Sequence, residues 1–127
     1  MLLTRSLRHY PFTAATLLAV VVLSLAPIGA VEIAQDVPFA DKWTHMVMYG
    51  GLCAVWWSEY ALRRQPLRLS TLCWATVLPV AVGGLMELLQ AYATTYRSGE
   101  WLDFAADSAG VLIGTLLGLT LQRLLRR

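Results

Sequence analysis

The stretch "DKWTHMVMYGG", residues 41–51, opens like a polar site and continues like a membrane span. Asp41, Lys42 and His45 fall within about one helical turn, just ahead of a run that stays largely apolar to Tyr60. An acid, a base and a histidine are costly at the start of such a run unless they serve a shared purpose. Whether the chain has other segments of this kind decides how the stretch is read.

Three more are found. A spanning helix needs about 20 mostly apolar residues, and residues 12–31, 43–60, 69–89 and 104–121 each approach that length. The 127 residues leave room for one domain, 1–127, of which 57% are hydrophobic and 14% charged. Ordinary globular proteins carry roughly 25% charged residues, and the mean hydropathy here is +0.58. The expected fold is all-α: a polytopic membrane protein with four transmembrane helices in a compact bundle.

The net charge of +2 conceals a segregation. Arg5 and Arg8 precede the first segment, Arg63, Arg64 and Arg68 lie between the second and third, and Arg123, Arg126 and Arg127 end the chain. With four crossings these basic groups share one side, and the positive-inside rule places both termini in the cytoplasm. The expected location is the bacterial inner membrane, multi-pass. A nucleic-acid partner is excluded, since that role needs a soluble basic face. The first segment, with "APIGA" at its end, also has the form of a signal peptide; cleavage there would not alter the orientation of the other three. Cys53 and Cys73 both fall inside spans and suggest neither a disulfide framework nor a zinc knuckle.

This topology gathers the polar residues. The second segment enters from outside with Asp41, Lys42 and His45, and the third leaves with Glu87 and Gln90 in "MELLQ". The fourth enters with Asp103 and, one turn deeper, Asp107; Arg97 lies in the connection before it. The expected binding set is therefore Asp41, Lys42, His45, Glu87, Gln90, Arg97, Asp103 and Asp107, all near the outer surface. Several have ordinary structural uses: Asp103 and Asp41 as helix caps, Lys42 reaching to headgroups, Gln90 as an interhelical hydrogen-bond partner. Glu87 and Asp107 sit within their spans, and with His45 they are the candidates for chemistry. A metal-binding variant would use His45, Glu87, Asp103 and Asp107, a nitrogen–oxygen set suited to zinc or manganese. No HExxH-type signature accompanies it, so the sequence assigns no metal and no cofactor.

Gly110, Gly114 and Gly118 form a small-residue ridge on the fourth segment, and Gly83 and Gly84 offer a second close approach or a bend. The ridge can receive a neighbouring helix, or a second copy of the chain in a homo-oligomer.

In order, "DKWTHMVMYGGL", "ELLQAY" and "RSGEWLDFAADSAGVLIG" resemble the VanZ-like family of bacterial membrane proteins. That family shows an Asp-Lys-x-x-His opening to a helix, a later Glu-x-x-Gln, then Arg, Asp and a Gly-rich final helix. The resemblance runs from Asp41 to Gly118 and departs at one place, where Asp107 stands for the family's usual Asn. It implies a cell-envelope protein from a family associated with low-level resistance to the glycopeptide teicoplanin, with no agreed biochemical mechanism. Three functions remain open at this level. One is recognition of a membrane lipid headgroup, a lipid-linked envelope precursor or a glycopeptide. A second is a hydrolase or transferase using His45 and carboxylates. The third is a small membrane scaffold whose polar cluster only fixes helix register.

Overall fold

The computed structural model describes residues 8–25, 40–93 and 101–126. Among them are four helices: α1 (Pro11–Leu25), α2 (Ala40–Leu62), α3 (Leu69–Ala93) and α4 (Trp101–Leu125), with no strand. The helices run past the apolar windows because hydropathy marks the greasy centre of a helix. Its polar first and last turns are equally helical, as at Lys42 and Asp103. Residues 26–31 of the first expected span, with "APIGA", lie outside the described residues.

At 1.5 Å per residue, α2 is about 34 Å long and α3 and α4 about 37 Å. Two helices, Leu69–Tyr92 and Trp101–Leu125, are long and apolar enough to cross a membrane. The described part of α1 is apolar but shorter, at 15 residues. Helix α2 has the length, but its aromatic, glycine and polar residues dilute its apolar character. Pro79 lies inside α3 and removes one backbone donor from its ladder.

The tightest seam joins α2 to α4, and its cause is the glycine ridge. A Cβ on Gly110 would run into the Met46 carbonyl, and one on Gly114 would lie 2.5 Å from the Gly50 carbonyl oxygen. A Cβ on Gly118 would collide with the Trp57 side chain. Gly50 reciprocates, its own missing Cβ falling 3.1 Å from the Gly110 carbonyl oxygen. Of the two uses open to this ridge, the intramolecular one is taken, by α2 of the same chain. On α3, Gly83 faces Asp107 and Gly84 faces the Phe104 ring, so this pair too serves a close approach.

One end of the bundle is aromatic. Trp56, Trp57, Tyr60 and Tyr10 stack or meet edge-on with centroids 4.8 to 6.1 Å apart. Trp57 and Tyr49, both on α2, are fully buried. The turn after α2 closes beside this cluster. Arg64 takes a left-handed conformation (φ 53°), its N–H donates to the Ala61 carbonyl at 2.9 Å, and Tyr60 donates to the Pro66 carbonyl. The basic segments meet here: Arg63 lies 5.0 Å from the Tyr10 ring centroid, and Arg126 donates to the Gln65 carbonyl.

Helix α1 is fastened at both ends by polar groups. At its start, Glu59 of α2 accepts from the backbone N–H groups of Phe12 (3.1 Å) and Thr13 (2.9 Å) and from the Thr13 hydroxyl. Those first-turn amides have no partner within their own helix, and a carboxylate also suits the positive end of the helix dipole. Towards the other end, Gln90 Nε2 donates to the Ser24 carbonyl at 2.6 Å.

Candidate functional site

The site lies at the end of the bundle opposite Trp56 and Trp57. Helix α2 brings Lys42 and His45, α3 brings Glu87 and Gln90, and α4 brings Asp103 and Asp107. The pairs Asp103/Asp107 and Glu87/Gln90 recur at helical spacing, so each shares a face of its helix. The close α2–α4 seam aims the lysine and imidazole of α2 at the carboxylates of α4.

His45 is the centre of the arrangement. Its Nδ1 lies 2.6 Å from Asp107 Oδ1, and its Nε2 lies 3.6 Å from Asp103 Oδ2. With Asp107 ionised the carboxylate can only accept, so Nδ1 carries the proton and donates it. Lys42 Nζ donates to Asp103 Oδ1 at 2.6 Å. Asp103 thus joins a lysine on one side to an imidazole on the other. Glu87 approaches from α3: one ligand atom each from His45, Glu87 and Asp107 lie within 4.8 Å of one another.

These groups are withdrawn from the surroundings. Asp107 is completely buried, and His45, Glu87 and Asp103 are each less than a tenth exposed. Asp107 Oδ2 has no hydrogen-bond partner among the described residues. It faces α3 at Gly83, where a Cβ would stand 3.0 Å away. One turn deeper than His45 on the same face of α2, Tyr49 sits beside Ser24, with Asp107 and Glu87 within electrostatic reach.

Beside the cluster, between α3 and α4, is a crevice of about 320 Å³. Leu88, Ala91, Tyr92, Trp101 and Phe104 supply apolar walls, and Glu87 is its acidic lining group. The crevice therefore joins greasy surface to the charged cluster through one carboxylate. An amphiphile with a polar head and an apolar tail matches that sequence of environments.

Of the residues expected from the sequence, Lys42, His45, Glu87, Asp103 and Asp107 come together. Gln90 is at the same end but bonds to α1, the interhelical role anticipated for it. Lys42 pairs with Asp103 instead of only reaching outward, and Asp103 does more than cap. The Asp41 side chain and all of Arg97 lie outside the described residues. Tyr49 and Ser24 were missed. The signal for Tyr49 was its position four residues after His45; nothing local to Ser24 marks it.

The hydroxyl of Ser108 donates to the Phe104 carbonyl of its own helix at 3.0 Å and so gains no activating base. Ser98 lies outside the described residues. Among the described residues, the chemistry open to the cluster is proton exchange at His45, electrostatic binding by the carboxylates and Lys42, and coordination of a cation by His45, Glu87 and Asp107. Comparison of the chain with protein-family models, with curated proteins and with solved structures gives no match in any of the three.

Proposed function

We propose that the chain is a four-span, VanZ-like protein of the bacterial inner membrane, with the His45 end facing outward and both termini in the cytoplasm. It would recognise a lipid headgroup or a lipid-linked cell-envelope precursor. The polarity of the bundle supports the membrane part of this reading. Large apolar residues such as Leu18, Val47, Trp74, Leu78, Leu116 and Leu117 are exposed, whereas His45, Glu87, Asp103 and Asp107 are buried. In water that pattern is unfavourable; in lipid it is the expected one. The gathering of Arg63 and Arg126 at the opposite end from the carboxylates supports the orientation.

The observation that carries the recognition reading is the crevice lined by Glu87, in which apolar walls meet the charged cluster. A tail would lie along Leu88 and Ala91 and the head would reach the cluster. There Lys42 suits a phosphate, while the carboxylates suit an amine or hold the base in place. Teicoplanin resistance enters through the family resemblance alone.

The test uses the full chain in detergent, with thermal stability measured against phospholipid phosphates, envelope-precursor fragments and teicoplanin. Saturation at one hundred times Kd stabilises a folded state by about 2.7 kcal/mol, which a melting curve resolves. Ala91→Trp, which fills the crevice, should keep the fold and lose the shift. Absence of any shift in the wild type would remove the recognition reading.

A second reading is favoured by one distance, the 2.6 Å between His45 Nδ1 and Asp107. An imidazole oriented by a carboxylate is the usual form of a general base, and with no activated serine described the nucleophile would be water. Hydrolysis of a lipid-linked substrate that is lost in His45→Ala but not in Lys42→Ala would support it. No turnover of any ligand found by the stability screen would count against it.

A further inference from the structure

We propose that His45, Glu87 and Asp107 hold a divalent cation of the zinc or manganese class. The inference uses the same cluster as the recognition reading but does not require a lipid ligand.

Three observations combine. First, the donor set converges: an imidazole nitrogen and two carboxylate oxygens from three helices lie within 4.8 Å of one another. A tetrahedral ion with bonds of 2.0–2.2 Å separates its ligand atoms by roughly 3.3–3.6 Å, within reach of modest side-chain adjustment. Second, Asp107 is fully buried, and its Oδ2 has no hydrogen-bond partner among the described residues. It faces α3 at Gly83, one turn from Glu87 on the same face, and the missing Gly83 Cβ leaves that oxygen its space. A buried carboxylate oxygen is costly when unsatisfied; a cation shared with Glu87 would satisfy it. Third, the donor set itself is two carboxylates and one imidazole, the charge and ligand types that a divalent ion of this class takes.

The chemistry suits borderline ions. One nitrogen and two carboxylates bind zinc or manganese, while calcium prefers six to eight oxygens. An ion at Nδ1 would displace the proton that Nδ1 shares with Asp107 to Nε2, which Asp103 Oδ2 faces from 3.6 Å. Three protein ligands leave a coordination position for water or for a phosphate oxygen.

The full chain, purified in detergent and stripped with chelator, is titrated separately with zinc and manganese, and bound metal is counted by elemental analysis. One ion per chain is expected, with affinity at least about tenfold weaker in His45→Ala and Glu87→Gln. Glu59→Gln, at the far end of the bundle, should bind as the wild type does. Asp107→Asn retains size and a carbonyl acceptor, and should also bind weakly. If these variants fail to fold, the wild type decides through its cobalt absorption spectrum. Intense four- or five-coordinate bands uphold the site, and the weak bands of hydrated cobalt overturn it. No bound metal in the wild type, or equal binding by well-folded His45→Ala and Glu87→Gln, also overturns it. Metal binding without any lipid-phosphate shift leaves the cation site standing and removes the recognition reading. A lipid-phosphate shift that persists in chelator, with no metal bound, does the reverse.

Discussion

At the Trp56–Trp57 end of the bundle one carboxylate, Glu59, meets two backbone amides and a hydroxyl from the first turn of α1, with aromatic rings packed beside it. At the His45 end three carboxylates from two helices converge on an imidazole and a lysine, and one buried oxygen keeps no hydrogen-bond partner among the described residues. Both ends place acids where acids are expensive. At the first, the donors match the acceptors and the acid is fully accounted for as a helix clamp. At the second, Asp107 Oδ2 is buried with no hydrogen-bond partner among the described residues, and helix packing alone gives it no use. The lesson is that a charge within a span marks function only after its structural partners have been counted.

Four substitutions would break or sharpen that contrast, beginning with the one that should abolish it. Gly110→Val drives a side chain into the Met46 backbone and should cost about 3 kcal/mol or more, since overpacking a tight seam forces backbone shifts. Both ends should fail together, seen as lost monodispersity in detergent. Asp107→Ala leaves His45 buried without its 2.6 Å partner and should cost about 3 kcal/mol; chemical denaturation in mixed micelles measures it. A stability equal to wild type would show that the carboxylate adds nothing net to the fold, and one above wild type that it is held at a net loss, for the sake of a ligand. Glu59→Gln weakens the clamp on α1 and should cost about 1 kcal/mol, with ligand and metal binding at the His45 end unchanged. If that binding also changed, the two ends would be coupled and the contrast would be wrong. Smallest is Lys42→Ala: its pair with Asp103 is partly exposed and should contribute no more than about 1 kcal/mol, visible mainly as altered affinity for a phosphate ligand.

Much of this arrangement was legible in the sequence, for identifiable reasons. The 41/45, 87/90 and 103/107 spacings put each pair on one helix face, and alternating helix direction brought those faces to one end. Gly110, Gly114 and Gly118 announced a close helix partner. What the sequence could not supply was the partner's identity: nothing in the spacing says that α2, and not a second copy, fills the ridge. That depends on the fit of Gly50 and Cys53 against it. Glu59 was equally opaque, because its partners lie 46 and 47 residues away on α1. Tyr49 and Ser24 escaped notice because each reads as an ordinary span residue until the other is placed beside it. The helix limits were wider than the apolar windows because helicity continues through polar turns that hydropathy excludes.

The α2–α4 seam also bears on how the chain is made. On the membrane reading, α2 emerges from the ribosome well before α4. Until it arrives, Lys42 and His45 lack Asp103 and Asp107, and the Gly50 surface lacks its covering ridge. The half-made protein must therefore keep a basic, unfilled helix face at the protein-conducting channel or in contact with an insertase. A nascent chain stalled before residue 101 would lack α4 and would be a ready substrate for membrane quality control.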